Sequence, residues 1–340
     1  MSKRVLICDD SGIARKQLAR TLPKSWDAHV DYATNGQEAV DFIAANGVDL
    51  LFLDLNMPVL DGYQTLEALK SMANAPQVIV VSGDIQPQAL ERVRLLGAID
   101  FLKKPVDSGV LQQALERHHL LGIQDDSLEK LIVAQPVEGI EKFTLSQVLQ
   151  EVSNISMGRA ASVLADMLNV FIKLPVPKVN ILEVSELQMA LSYSGVGSSR
   201  CSAVSQGYVG AGIAFEALLV FSDSSFPDMA KLLNVTDKID RDLETELLMD
   251  VSSVLVGPYM AALGEQLNVD FSHSHPVLLG QHVQISDLIN VKRAQWKRTL
   301  AVEIAYEVEN YKISCDLMLL FTEDSLPVLE KLLSYLVEED

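Results

Sequence analysis

Four short apolar runs in the first 105 residues each give way to a residue with chemistry to offer. Val5–Cys8 is followed by Asp9 and Asp10, Leu50–Leu53 by Asp54, Val78–Val81 by Ser82, and Ile99–Leu102 by Lys103, Lys104 and Pro105. Continuous apolar runs this short suit strands buried on both faces of a parallel sheet. Helix patterns fall between them from Ser11 or Gly12 to about Leu22 and at Gly36–Ala45, Gly62–Ser71, Gln86–Leu96 and Ser108–Leu121, and His29–Ala33 supplies a fifth strand. The alternation predicts a doubly wound α/β domain with a five-stranded parallel sheet. In such a sheet the ligand crevice lies at the carboxyl ends of the strands. Asp9, Asp10, Asp54, Ser82 and Lys104 should therefore meet at one edge.

That combination narrows the chemistry. Clustered carboxylates repel one another unless a hard cation sits among them, and Mg²⁺ favours a few carboxylates together with phosphate oxygens. Mn²⁺ accepts the same ligands. A lysine and a hydroxyl beside the cluster would hold the oxygens of an acyl phosphate on Asp54. The first 121 residues are expected to accept a phosphoryl group.

At 340 residues the chain is long enough for about two domains. Its net charge of −19 is uneven, with −3 on residues 1–121 and −16 on the rest. A nucleic-acid effector needs a basic face, so no nucleic-acid partner is expected. No apolar stretch reaches the roughly 18 residues of a membrane span; the longest, Val209–Phe221, is broken by Glu216. The apolar run at the start is too short for a signal segment. These features predict a cytoplasmic protein without a membrane partner. Cys8, Cys201 and Cys315 stand singly among apolar residues, as reduced core thiols do.

Residues 122–143 read as a linker with a short helix at Ser127–Val133, and residues 144–340 as a second domain built by duplication. Phe221–Leu233 matches Phe321–Leu333 at six of thirteen positions, at an offset of 100. Glu151–Gly158 aligns with Asp250–Gly257, and Pro177 with Pro276, at an offset of 99. Each half should hold a long helix, then strands (Val179–Ser192 and Cys201–Phe221; Val277–Ser286 and Thr299–Phe321), then a short closing helix. The expectation is a pseudo-symmetric α+β domain with one shared sheet.

The N-terminal set resembles the response-regulator receiver domain, the CheY-like fold, across residues 1–121. The stretch Leu51-Phe-Leu-Asp54-Leu-Asn-Met57-Pro58-Val-Leu-Asp61-Gly62 is among that family's most specific signatures. The resemblance implies Asp54 as phosphoacceptor, Asp10 and Asp54 as Mg²⁺ ligands with Asp9 assisting, and the backbone carbonyl of Asn56 as a further ligand. It also implies Ser82 and Lys104 on the phosphoryl oxygens and Phe101 as the switch aromatic. Gly83 stands where the family often has Ala.

Glu151 and Asn154 are three apart, hence on one face of a helix. Followed by Ile-Ser-Met-Gly158 and, after 22 intervening residues, Pro177, the pair resembles the CheC/CheX/FliY family of CheY-phosphate phosphatases over about residues 144–340. That pattern opens with Asp or Ser where this chain has Gln147, beside Ser146. In the repeat, Glu246, Asp250, Ser253 and Pro276 put Ser at the Asn position. A serine hydroxyl is shorter and cannot offer the same acceptor and donor pair as an amide, so this second site is expected to be degenerate. The resemblance implies a protein aspartyl-phosphate phosphatase that uses Glu151 and Asn154. It also implies control through Asp54 by a cognate histidine kinase, a phosphorylated CheY-like receiver as substrate, and a CheD-like regulator as a further partner. Two other readings stay open: a non-catalytic, phosphorylation-switched adaptor, and a self-timing regulator acting on its own Asp54 phosphate. His273 and His275 read as exposed strand or turn residues, His118 and His119 as a helix end, and Trp296 with its basic neighbours as surface.

Overall fold

The computed structural model describes residues 2–121, 143–183, 200–284 and 298–338, together with Glu186 and Asp287. Its contacts divide it into two units, Met1–Phe143 and Thr144–Asp340. The linker helix expected at Ser127–Val133 and the basic patch around Trp296 lie outside the described residues.

The first unit runs β1 (Lys3–Cys8), α1 (Gly12–Thr21), β2 (Ala28–Ala33), α2 (Gly36–Asn46), β3 (Leu50–Leu53), α3 (Gly62–Lys70), β4 (Gln77–Ser82), α4 (Pro87–Leu95), β5 (Asp100–Lys103) and α5 (Ser108–Arg117). The strands form one parallel sheet in the order β2-β1-β3-β4-β5. Alternate residues of each strand serve different cores, which is why the runs are apolar throughout. Val5, Ile7, Phe52, Ile79 and Val81 pack with Leu18, Leu111 and Leu115 on one face. Leu6, Cys8, Leu51, Leu53 and Val80 pack with Ile43, Leu66, Leu69 and Val93 on the other. Register then aligns the strand ends: Cys8 pairs with Leu53, Leu53 with Val80, and Ser82 with Lys103.

The second unit runs α6 (Leu145–Leu168), β6 (Ile172–Lys173), β7 (Lys178–Glu183), β8 (Cys201–Gly210), β9 (Ile213–Ser222), α7 (Phe226–Leu232), α8 (Arg241–Leu267), β10 (Ser272–His273), β11 (Val277–Val283), β12 (Arg298–Val308), β13 (Ser314–Phe321) and α9 (Leu326–Glu338). One antiparallel sheet has the path β10-β8-β9-β13-β12-β6, with β11 also on β8 and β7 also on β12. At its centre Leu218 faces Met318, its own counterpart in the repeat. On either side Phe215 faces Phe321 and Phe221 faces Cys315. A ladder in which, whenever one residue faces a second, the repeat counterpart of the second faces the counterpart of the first has a two-fold axis through its centre, as in an isologous interface. Each half also gives its edge strands to the other: β6 and β7 pair with β12, and β10 and β11 with β8.

The long helices α6 and α8 pack against each other. Both end on an asparagine in the left-handed region, Asn169 at φ 53° and Asn268 at φ 52°. This is a helix stop that Asn tolerates better than most residues. By length and composition α8 could cross a bilayer, yet most of its apolar window is buried inside the fold, as in the core helix of a packed domain.

Candidate functional site

The strand ends bring the expected cluster together. Carboxylate oxygens of Asp9, Asp10 and Asp54 lie within 4.8 Å of one another. Lys104 Nζ is 2.7 Å from Asp9 Oδ2 and 3.4 Å from Asp54 Oδ1, with all three side chains buried. Backbone bonds fix the positions: Asp54 N donates to Cys8 O at 2.9 Å, and Lys104 N to Ser82 O at 3.0 Å. Asp9 is held twice more, by Ser11 N on Oδ1 at 2.9 Å and by Arg15 Nη1 on its carbonyl at 2.6 Å. Gly62 is required by close approach, because a Cβ there would run into the Asp54 carbonyl oxygen. Beside it Asp61 caps α3, accepting from Gln64 N, while the Gln64 side chain accepts from Asp61 N. The signature stretch is thus a strand end, a tight turn and a capped helix start.

Ser82 is fully buried and its Oγ accepts from Asp84 N at 3.1 Å. Phe101, on β5, is partly buried against the core on the α2–α4 side. Asn56 is buried in the loop two residues beyond Asp54. Behind the cluster the Cys8 thiol is pushed far up, first by burial and then by the Asp9 and Asp54 carboxylates. It therefore stays protonated and inert.

The cluster fits a hard divalent cation. Its donors are carboxylate oxygens, and two oxygens on opposite sides of Mg²⁺ lie about 4.2 Å apart, a span that the 4.8 Å limit on the cluster allows. Lys104, paired with Asp9 and Asp54, balances part of the charge.

Sequence reasoning missed Asp84. Its carboxyl is buried, accepts from Gln86 N and Gln86 Nε2 at 3.1 Å each, and is pushed up to about 6 by burial. The only signal available was an acid two residues past a strand end, which is ordinary in a loop.

In the second unit Glu151 and Asn154 lie on one face of α6, as their spacing requires. They are 5% and 4% exposed. Among the described residues, none donates a hydrogen bond to Asn154 Oδ1. The departure at Gln147 has a local reason. Thr144 caps α6 by accepting from Gln147 N at 3.3 Å, and Gln147 Oε1 accepts from Thr144 N at 2.9 Å. The corresponding face of α8 differs: Glu246, Asp250, Ser253 and Gly257 are all exposed, and Ser253 Oγ donates to Met249 O at 2.9 Å. The repeat thus keeps the stripe but turns its hydroxyl onto its own helix. His273 and His275 are exposed.

Fold and cluster together define a phosphoryl-accepting α/β domain followed by a duplicated α+β unit. The family model of the response regulator receiver domain matches residues 5–116, and that of the CheC-like family matches residues 147–181. Chemotaxis protein CheY of Treponema pallidum is 32% identical over 116 residues, which is 34% of this chain and 78% of that protein. The chain belongs to the response regulator receiver family. A protein-glutamate methylesterase/protein-glutamine glutaminase of Myxococcus xanthus is 41% identical over 104 residues, 30% of each chain. The chain spans about a third of the length of most of the curated relatives it matches first. Among solved structures, a chain of the CheX–CheY–BeF₃–Mg²⁺ complex from Borrelia burgdorferi is 29% identical. The alignment covers 34% of this chain and 89% of that one, with a TM-score of 0.33.

Proposed function

We propose that this response regulator is phosphorylated on Asp54 and that its second unit dephosphorylates phospho-aspartyl receivers of the CheY type under control of that phosphorylation. In the input step an Asp54 carboxylate oxygen bonds to phosphorus as the P–N bond of a histidine kinase's phosphohistidine breaks. Asp10 and Asp54, with Asp9 and the Asn56 carbonyl, would hold the divalent cation. When bound, that ion neutralises charge on the phosphoryl oxygens. Lys104 and the Ser82 hydroxyl bind the remaining oxygens, and Phe101 reports the change of charge to the surface around β5.

In the output step the acyl phosphate is on another receiver. A water oxygen bonds to phosphorus in line, the bond to the carboxylate oxygen breaks, and inorganic phosphate leaves with the water's protons. The Asn154 amide orients the water, accepting from it through Oδ1, and Glu151 pairs with the substrate's active-site lysine. Such a reaction asks for positioning rather than a strong base.

Asn154 Oδ1 carries this reading. A buried acceptor without a donor costs about 1–3 kcal/mol, and such groups are kept where a ligand supplies the missing bond. Because Asn154 and Glu151 are both buried, acting on another receiver requires that this face of α6 become accessible, and we assign control of that access to Asp54.

The test is the decay of a phosphorylated CheY-type receiver with wild-type protein, Asn154→Ala and Ser253→Asn. Wild type should speed decay, Asn154→Ala should lose roughly 100-fold of that rate, and Ser253→Asn should retain it. No acceleration by wild type across a panel of receivers would sink the phosphatase reading and leave the adaptor. If Asn154→Ala slows only the decay of phospho-Asp54, the self-timing reading replaces it.

A further inference from the structure

His282 lies in the second unit, outside both the Glu151–Asn154 pair and its repeat on α8. It sits in β11 where the register with β8 shifts between Gly280 and Val283, and its backbone is in the left-handed region at φ 58°. A histidine pays for that conformation, so something must hold it. Its Nδ1 is 2.8 Å from Asp223 Oδ2 and its Nε2 is 2.9 Å from Glu244 Oε2. Both carboxylates have further donors: Ser202 Oγ donates to Asp223 Oδ1 at 2.8 Å, and Gln281 Nε2 to Glu244 Oε2 at 3.1 Å. His282 N in turn donates to Ser202 Oγ at 3.3 Å. Phe226 lies against the ring, with centroids 5.9 Å apart.

An ionised carboxylate only accepts, and a neutral imidazole has a single N–H. With a carboxylate on each nitrogen, both must carry hydrogen, so the ring is an imidazolium. The two nitrogens face different carboxylates, so the three groups do not converge on one cation as a metal site would.

We infer that His282 is a protonated clasp that ties the β11 edge of the sheet to the first turn of α8, and that this tie opens as the solution becomes alkaline. The charges acting on the ring are Asp223, beyond the end of β9, and Glu244, on α8, which hold the imidazolium above its ordinary 6.5 against a smaller opposing effect of burial. Next along β8 the Cys201 thiol is pushed up to about 11, by burial and then by Asp223 and Asp287. It therefore stays neutral while His282 titrates. The sign follows from linkage. A group whose folded value is raised contributes its full stabilisation below the ordinary 6.5 and loses it as pH climbs through the raised value. The helix released is the one packed on α6.

Histidine-selective ¹⁵N spectra of the full chain, followed from about pH 5.5 to about pH 9, test the clasp. His282→Gln assigns the resonance by its loss. Two protonated nitrogens should persist above the ordinary midpoint, and Glu244→Gln should move the midpoint down. Amides in the first turn of α8 should lose exchange protection across the same interval in wild type, beyond the intrinsic pH effect. If His282→Gln fails to fold, the downward shift in Glu244→Gln still identifies the ring. An ordinary midpoint in wild type, or one indifferent to Glu244→Gln, overturns the inference.

Discussion

Val59, in the loop after β3 and Asp54, is 80% exposed and has φ 70°. A β-branched side chain is poorly suited to that region, whereas asparagine enters it readily. Val59→Asn should therefore stabilise the first unit by about 1 kcal/mol, read from the midpoint of urea denaturation. Asp84 predicts a pH dependence. Burial raises its carboxyl from 3.8 to about 6, so its favourable contribution is complete below 3.8 and lost as pH rises through about 6. Asp84→Asn keeps an acceptor for the Gln86 donors but carries no charge. At pH 7 it should be more stable than wild type by on the order of 2 kcal/mol, and the gain should vanish below pH 4 in denaturation curves. The two residues were not equally legible. Asp9, Asp10, Asp54, Ser82 and Lys104 follow apolar runs that fix where strands end. The consequences of Asp84 depend on burial, and those of His282 on carboxylates 59 and 38 positions away, which no local pattern reveals.

The receiver strands and helices followed from short apolar runs alternating with helical periodicity, and Leu50–Leu53 matches residue for residue. In the second unit the two long stretches Cys201–Phe221 and Thr299–Phe321 are hairpins rather than single runs. The first turns at Ala211 and Gly212, both at positive φ, and the second around Asn310. The short strands β6 and β10 have only two residues each, too few for any periodicity. Helix α6 depends on its start. Gln147, which departs from the family pattern, closes a reciprocal cap with Thr144. Thr144→Ala should cost about 1 kcal/mol, and circular dichroism during thermal melting should show it in the second unit. The same variant should keep any phosphatase activity at temperatures well below its melt, because the cap touches neither Glu151 nor Asn154.

At the scale of the molecule the chain joins two units with different polar clusters. The first unit gathers Asp9, Asp10, Asp54, Ser82 and Lys104 at the carboxyl edge of its parallel sheet, where we propose that the phosphoryl group is accepted. The second is a duplication whose two helices have diverged: α6 keeps a buried amide, while α8 presents an exposed serine that bonds its own backbone. Sequence alignment of the halves showed the loss of the amide but not the difference in burial, because burial belongs to the tertiary arrangement. The decisive measurement follows the dephosphorylation rate of a CheY-type receiver as the fraction of phospho-Asp54 in the full chain is varied with a histidine kinase. The rate should change in step with that fraction, lose its dependence in Asp54→Ala, and disappear in Asn154→Ala. A rate that is the same at every level of phospho-Asp54, or that survives Asn154→Ala, would contradict it.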